Sequence, residues 1–193
     1  IGSSLTQISL LSEVMRTQVD GEGSSLSEPL RMIGRASREL VDSMADIVWA
    51  INPQKDHLSD LTLRMRRFAC DVFTARNIKF RLSEPDEEED IRLGANIRRE
   101  VFLIFKESIN NMVRHSGCTE AAIEFELADG RLALEVRDNG KGFDPSRDAE
   151  GHGLMSMRAR AKDIGGKLEI NSSFNAGTTV SLEVLLESLS DAV

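Results

Sequence analysis

The sequence has no tyrosine, one tryptophan and eight phenylalanines, so any core it builds is mainly aliphatic. It has two cysteines, Cys70 and Cys118, far apart and without the paired spacing of a metal site. That argues against a disulfide scaffold or a cysteine-ligated metal and reads as two reduced thiols. No apolar run approaches the length of a bilayer-spanning helix, and no signal-peptide pattern opens the chain. Positive charge is in short supply: 24 Lys and Arg stand against 32 Asp and Glu, a net charge of −8, which removes electrostatic support for a nucleic-acid role. What is present is 193 residues with 40% hydrophobic content, enough for one ordinary domain plus a smaller element, or for two small domains.

The chain opens on Ile1 inside an amphipathic pattern already under way and reads as a piece of a longer protein. Ile1, Leu5, Ile8, Leu11 and Met15 recur at helical spacing up to about residue 19. A Gly/Ser turn at 20–27 leads to a second stripe, Leu30, Ile33, Ser37, Leu40, Met44, Ile47 and Ile51, which stops at Asn52-Pro53 because proline disfavours helix in the residue before it. Two such helices cannot bury both stripes alone, so the pattern predicts a hairpin that dimerises into a four-helix bundle. A third helix is expected over about 57–76, a short strand over 78–82, a solvated acidic loop over 84–90, and a long helix over 95–115.

Three stretches carry chemistry. Leu132, Leu134 and Val136 alternate with polar residues and predict a strand ending at Asp138, followed at once by Gly140 and Gly142. Taken alone, Asp-Asn-Gly is a hairpin turn; it equally suits a flat ligand approached by glycine backbone, with the carboxylate accepting from an amino group such as that of adenine. On the long helix, Glu107 and Asn111 stand one turn apart on a face otherwise flanked by Asn110, Arg114 and His115. That face is either a polar surface or a pair of oxygen donors for a hard cation and its waters. Gly151-His152-Gly153 precedes a helix expected from Leu154 to about Ile164, where unpaired amides at the positive end of the helix dipole make a phosphate site. Alternating strands at 121–127, 167–171 and 178–186 complete an α+β pattern, and 188–193 reads as a frayed tail.

Together these pieces resemble the ATP-binding domain of sensor histidine kinases, in the superfamily that includes gyrase B, MutL and the ninety-kilodalton heat-shock chaperone. Residues 105–116 (F-K-E-S-I-N-N-M-V-R-H-S) resemble its asparagine motif. Asp138-x-Gly140-x-Gly142 resembles its first glycine motif, and Gly151-x-Gly153-Leu154 with Met157-Arg158-x-Arg160 the second; Gly177-Thr178 matches the late Gly-Thr pair. The form of the second motif is similar to the nitrate and lipid-fluidity sensor subgroup. The resemblance implies a two-layer α/β sandwich of the Bergerat type over 57–187, and a dimerisation and phosphotransfer hairpin over 1–56 whose acceptor histidine and neighbouring acid would lie just before Ile1.

The same resemblance implies Mg-ATP as cofactor. Asp138 would read the adenine amine with Thr178 assisting through water. Asn111 would ligate Mg²⁺, and Glu107 would hold a metal-bound water or act as a base. Gly140, Gly142, Gly151, Gly153 and Leu154 would admit the nucleotide, with His115 and His152 near the phosphates and Arg114 and Arg158 offsetting their charge. The implied activity is protein-histidine phosphorylation in the cytoplasm, with a response-regulator receiver domain and a second copy of the chain as partners, and no nucleic acid or membrane contact in this stretch. A conformational ATPase or an anti-sigma-factor-like serine kinase shares the nucleotide motifs. His57 is expected to be a surface residue at a helix start.

Overall fold

The computed structural model describes residues 8, 11, 14, 32–33, 36, 40, 44–49, 52–85, 90–145 and 152–186. The turn at 20–27, much of the two N-terminal stripes, residues 86–89, Gly151 and the tail at 188–193 lie outside them. The chain divides into two compact units, Ile1–Asn52 and Pro53–Val193.

In the first unit Ile8, Leu11, Val14, Met32, Ile33, Ala36, Leu40 and the run 44–49 are helical. The second stripe is only partly covered. Of its described members Ile33 and Leu40 are half-buried, whereas Met44 and Ile47 are exposed; beside the stripe Ala36 and Asp46 are buried and Met32 and Val48 exposed. A stripe states which residues share a helix face and leaves open what covers that face.

The second unit begins with a 3₁₀ turn, Pro53–Lys55, and continues α1 (Leu58–Thr74), β1 (Lys79–Ser83), α2 (Ala95–Asn111), a π turn (Met112–Ser116), β2 (Glu120–Ala128), β3 (Arg131–Asp138), α3 (His152–Asp163), β4 (Lys167–Ser172) and β5 (Thr178–Leu185). The five strands form one sheet in the order β1-β2-β3-β5-β4. β1 and β2 run parallel, as a crossover through α2 requires, and the other pairs are antiparallel.

Strand alternation sorts the sheet into two faces. Ile123, Phe125, Leu132, Leu134, Val136, Val180, Leu182 and Val184 are buried. The opposite face carries cross-strand ion pairs such as Arg81–Glu124 and Arg131–Glu183, which keep it solvated. The helices cover the first face. Val101, Ile104, Phe105 and Ile109 of α2 are fully buried, and Phe68 of α1 meets Phe102 and Phe105 edge-on at 6.2 and 6.1 Å. Truncating Ile104 to alanine is worth about 2–5 kcal/mol of stability on the usual cost of emptying a core site.

The start of α1 is capped from a distance. His57 occupies the cap position but makes no side-chain cap bond. The first amides are taken instead by the segment before α2: Leu58 N–H donates to the Ile91 carbonyl at 2.8 Å and Ser59 N–H to Asp90 Oδ1 at 2.9 Å. Burial works against ionisation of Asp90, yet the Ser59 amide and His57, whose Nδ1 lies 2.9 Å from Oδ2, hold its carboxyl below the ordinary value. The acidic run is therefore more than a solvated loop at its two ends, since Glu84 also pairs with Arg66.

Candidate functional site

β3 ends in Asp138. Its ladder partner on β5 is Thr178, and the partner of Thr178 on β4 is Ser172. Three polar side chains thus form one row across an inner face that is otherwise apolar. Asp138 is only 6% exposed. The Gly140 N–H donates to its Oδ1 at 2.7 Å, and Oδ2 accepts no hydrogen bond among the described residues. Burial pushes this carboxyl above its ordinary value, and the Gly140 amide offsets part of the rise.

The loop after Asp138 is bound down on both sides. Asn139 Oδ1 accepts the Thr119 and Glu120 amides at 3.0 Å each, and its Nδ2 donates to Thr119 Oγ1 at 3.0 Å. The Lys141 N–H donates to the Ser116 carbonyl at 2.9 Å, and the Asn175 N–H to the Lys141 carbonyl at 2.6 Å. A Cβ on Gly140 would lie 2.5 Å from that same Ser116 oxygen, and one on Gly142, where φ is +59°, would overlap the Ser173 carbonyl. Both glycines are demanded first by close approaches of the protein's own backbone.

α2 supplies the second wall. Glu107 and Asn111 project from its last turns, and the π turn that follows widens the helix so that Arg114 and His115 also line the cavity. Wide turns of this kind are often found at functional sites. α3 supplies the third wall through His152, Gly153 and Leu154. A Cβ on Gly153 would collide with the Glu107 carboxylate and lie 3.5 Å from Asn111 Nδ2, so glycine lets the first turn of α3 lie directly on those two side chains. Farther along, Ser108 Oγ meets Met157 Sδ at 3.5 Å and Arg160 Nη1 donates to buried Glu100 Oε2 at 2.8 Å. α3 is thereby matched to α2 at three successive levels.

These walls enclose a cavity of about 580 Å³, a size ordinary for small-molecule sites. Asp138, Thr178, Gly142, Glu107, Asn111, Arg114, His115, His152, Gly153 and Leu154 all line it, with Val136, Met157, Ile170 and Val180 as apolar lining. Among the described residues no cluster of three or more His, Cys, Asp or Glu could hold a metal on its own. Two hard oxygen donors one turn apart suit a cation that takes its other ligands from phosphate and water, as Mg²⁺ does, and not an all-protein cage.

Some sequence assignments change. Arg158 is exposed and does not line the cavity: α3 buries Met157 and Ala161, and the next residue is rotated about 100° from Met157. Gly140 packs beside the cavity without lining it, and Gly151 lies outside the described residues. His152 is the first residue of α3 rather than part of the preceding loop, and the expected long helix is α-helical to Asn111 and continues as the π turn to Ser116. His57 lies outside the cavity. Sequence reasoning missed Lys141, Phe143, Ser108 and Ser116 as lining residues; Lys141, between the two motif glycines, was the one with a visible signal.

Residues 96–188 match the family model described as "Histidine kinase-, DNA gyrase B-, and HSP90-like ATPase". The chain is 27% identical over 189 residues to the sensor histidine kinase LiaS of Bacillus subtilis, covering 95% of this chain and 50% of that protein. It is 36% identical over 101 residues to the sensor protein VraS of Staphylococcus aureus, covering 52% of this chain and 29% of that protein. The chain thus spans about half the length of these relatives, or less. Among solved structures, the Acinetobacter baumannii histidine kinase AdeS shares the fold with a TM-score of 0.65 at 16% identity, covering 95% of this chain and 96% of that one. The histidine kinase domain of the Erythrobacter litoralis EL346 blue-light activated kinase does so at 0.60 and 16%, covering 96% and 95%. Residues 96–188 are therefore similar to the ATP-binding domain shared by histidine kinases, DNA gyrase B and HSP90.

Proposed function

We propose that the second unit binds Mg-ATP and is the catalytic core of a two-component sensor histidine kinase of the nitrate and lipid-fluidity sensor subgroup. The observation that carries this reading is the convergence of Asp138, Thr178, Glu107, Asn111 and Gly153 on one cavity, from segments far apart in sequence. Asp138 and Thr178 take the adenine edge. Asn111, with Glu107 through water, would hold Mg²⁺, which when bound neutralises phosphate charge. The exposed side chains of Arg114 and His115 line the cavity, and together with His152 they stand ready for the phosphates. Positioning and charge stabilisation are what phosphoryl transfer asks of a protein.

In the full reaction the γ-phosphorus–oxygen bond to ADP breaks and a phosphorus–nitrogen bond forms on a histidine of a dimeric helical hairpin. The phosphoryl group then passes to an aspartate of a response regulator in the cytoplasm. The exposed Met32, Met44, Ile47 and Val48 support a second copy packing on the first unit. Residues 1–193 alone are expected to bind Mg-ATP in calorimetry and to take up no acid-labile, alkali-stable phosphate. Absence of nucleotide binding would overturn the reading, and such a phosphate on this stretch would move the acceptor to one of its own histidines, His57 first.

A further inference from the structure

Ser172 does not line the cavity, yet it settles what Thr178 can do there. Its hydroxyl has one proton and two acceptor lone pairs. The Gly177 carbonyl, which can only accept, lies 2.9 Å from Ser172 Oγ, so the Ser172 proton goes to that oxygen. The Phe143 N–H donates to Ser172 Oγ at 3.0 Å. Thr178 Oγ1 lies 2.9 Å from the same oxygen, and with the serine proton already used, Thr178 must be the donor. Its own proton is then directed at Ser172 and away from the cavity, leaving Thr178 Oγ1 there as an acceptor only.

We infer that Ser172 is a positioning residue for nucleobase selectivity: by taking the Thr178 proton it makes the base end of the cavity an all-acceptor edge, Thr178 Oγ1 beside Asp138, selective for a purine with an exocyclic amine and an unprotonated ring nitrogen. The inference rests on the nucleotide reading above and names its specificity. Thr178 and Asp138 are ladder partners, so the two acceptors are neighbours on one face. An acceptor takes a proton from an amine directly, or it orients a bridging water whose second proton goes to an unprotonated ring nitrogen. Adenine offers both groups. Hypoxanthine offers a carbonyl oxygen, which has no proton for Asp138, and a protonated ring nitrogen, which cannot accept the second proton of the bridging water. The hydrogen bond from Phe143 ties the end of the first glycine motif into the same group.

The test compares ATP with inosine triphosphate, each with Mg²⁺, on residues 1–193 carrying Ser172→Ala, Ser172→Thr or no change. Wild type prefers ATP. In Ser172→Ala the Thr178 hydroxyl is free to turn its proton into the cavity, and the preference is expected to narrow about tenfold, the worth of one hydrogen bond of this kind; Ser172→Thr, which keeps the hydroxyl, restores it. Thermal melts accompany each variant. Loss of affinity for both nucleotides with an unchanged ratio would make Ser172 merely structural and overturn the inference. Wild type that binds neither nucleotide would overturn the nucleotide reading instead.

Discussion

The two ends of the cavity are built differently. At the end proposed for the base Asp138, Thr178 and Ser172 sit in one row across three hydrogen-bonded strands, and the loop beyond is held by Asn139, Lys141 and Phe143. At the other end the groups come from helix termini, a π turn and the first turn of α3, and Arg114, His115 and His152 are exposed. The difference teaches a division of labour. Recognition of a flat base needs fixed donors and acceptors, because a misplaced polar atom in a buried site is costly. Stabilising a phosphate chain needs groups that can follow it, and the exposed Arg114 guanidinium and two imidazoles on helix ends would supply that.

The largest expected effect breaks the base end alone. Asp138→Asn keeps an oxygen for the Gly140 amide but turns an NH₂ toward the amine, so affinity for ATP and for adenosine should both fall about 10- to 100-fold, as loss of a hydrogen bond to a charged group implies. Stability should move the other way. The carboxyl is held above its ordinary value by burial, so the native state binds more protons than the unfolded state between the two values, and wild-type stability falls as pH rises through that window. Asp138→Asn is expected to be at least as stable as wild type at neutral pH in denaturant titrations, the gap closing in acid.

The phosphate end is broken by Asn111→Ala or Glu107→Gln. Each should weaken Mg-ATP about tenfold while leaving adenosine affinity unchanged, measured by calorimetry with and without Mg²⁺. A smaller effect sharpens the comparison by loosening α3 from α2. Arg160→Met removes one of the two arginines on the buried Glu100 carboxylate, leaving Arg99 Nη2 3.0 Å from Oε1, and should lower stability by about 1 kcal/mol. The last lies away from the cavity. Asp90→Ala removes the remote cap of α1 and should cost about 1 kcal/mol with no change in nucleotide affinity. Because Asp90 is held below its ordinary value, its contribution is present at neutral pH and is lost as pH falls through its folded-state value.

Periodicity made the strands and the three helices of the second unit legible to within a few residues, because each buries one face. Three residues of the candidate site, Asp138, Glu107 and Asn111, were legible because their chemistry is unusual where they stand, and Thr178 only through the family resemblance. Ser172 was not: a serine at a strand end carries no signal until the ladder puts it beside Thr178. Arg98 and Glu100 are buried although a helical reading sends charges outward, and one of the two partners of Glu100 lies sixty residues away. Arg158 shows the reverse error. A basic residue near a phosphate motif reads as a phosphate ligand, and only the rotation of α3 shows which side it takes.

The most direct measurement follows amide resonances of residues 1–193 while Mg-ATP is added. Simultaneous shifts at Gly140, Thr178, Asn111 and Gly153, saturating at one nucleotide per chain, are the result expected if separated segments share one site. Shifts confined to a different face, or four positions responding at unrelated concentrations, would contradict it.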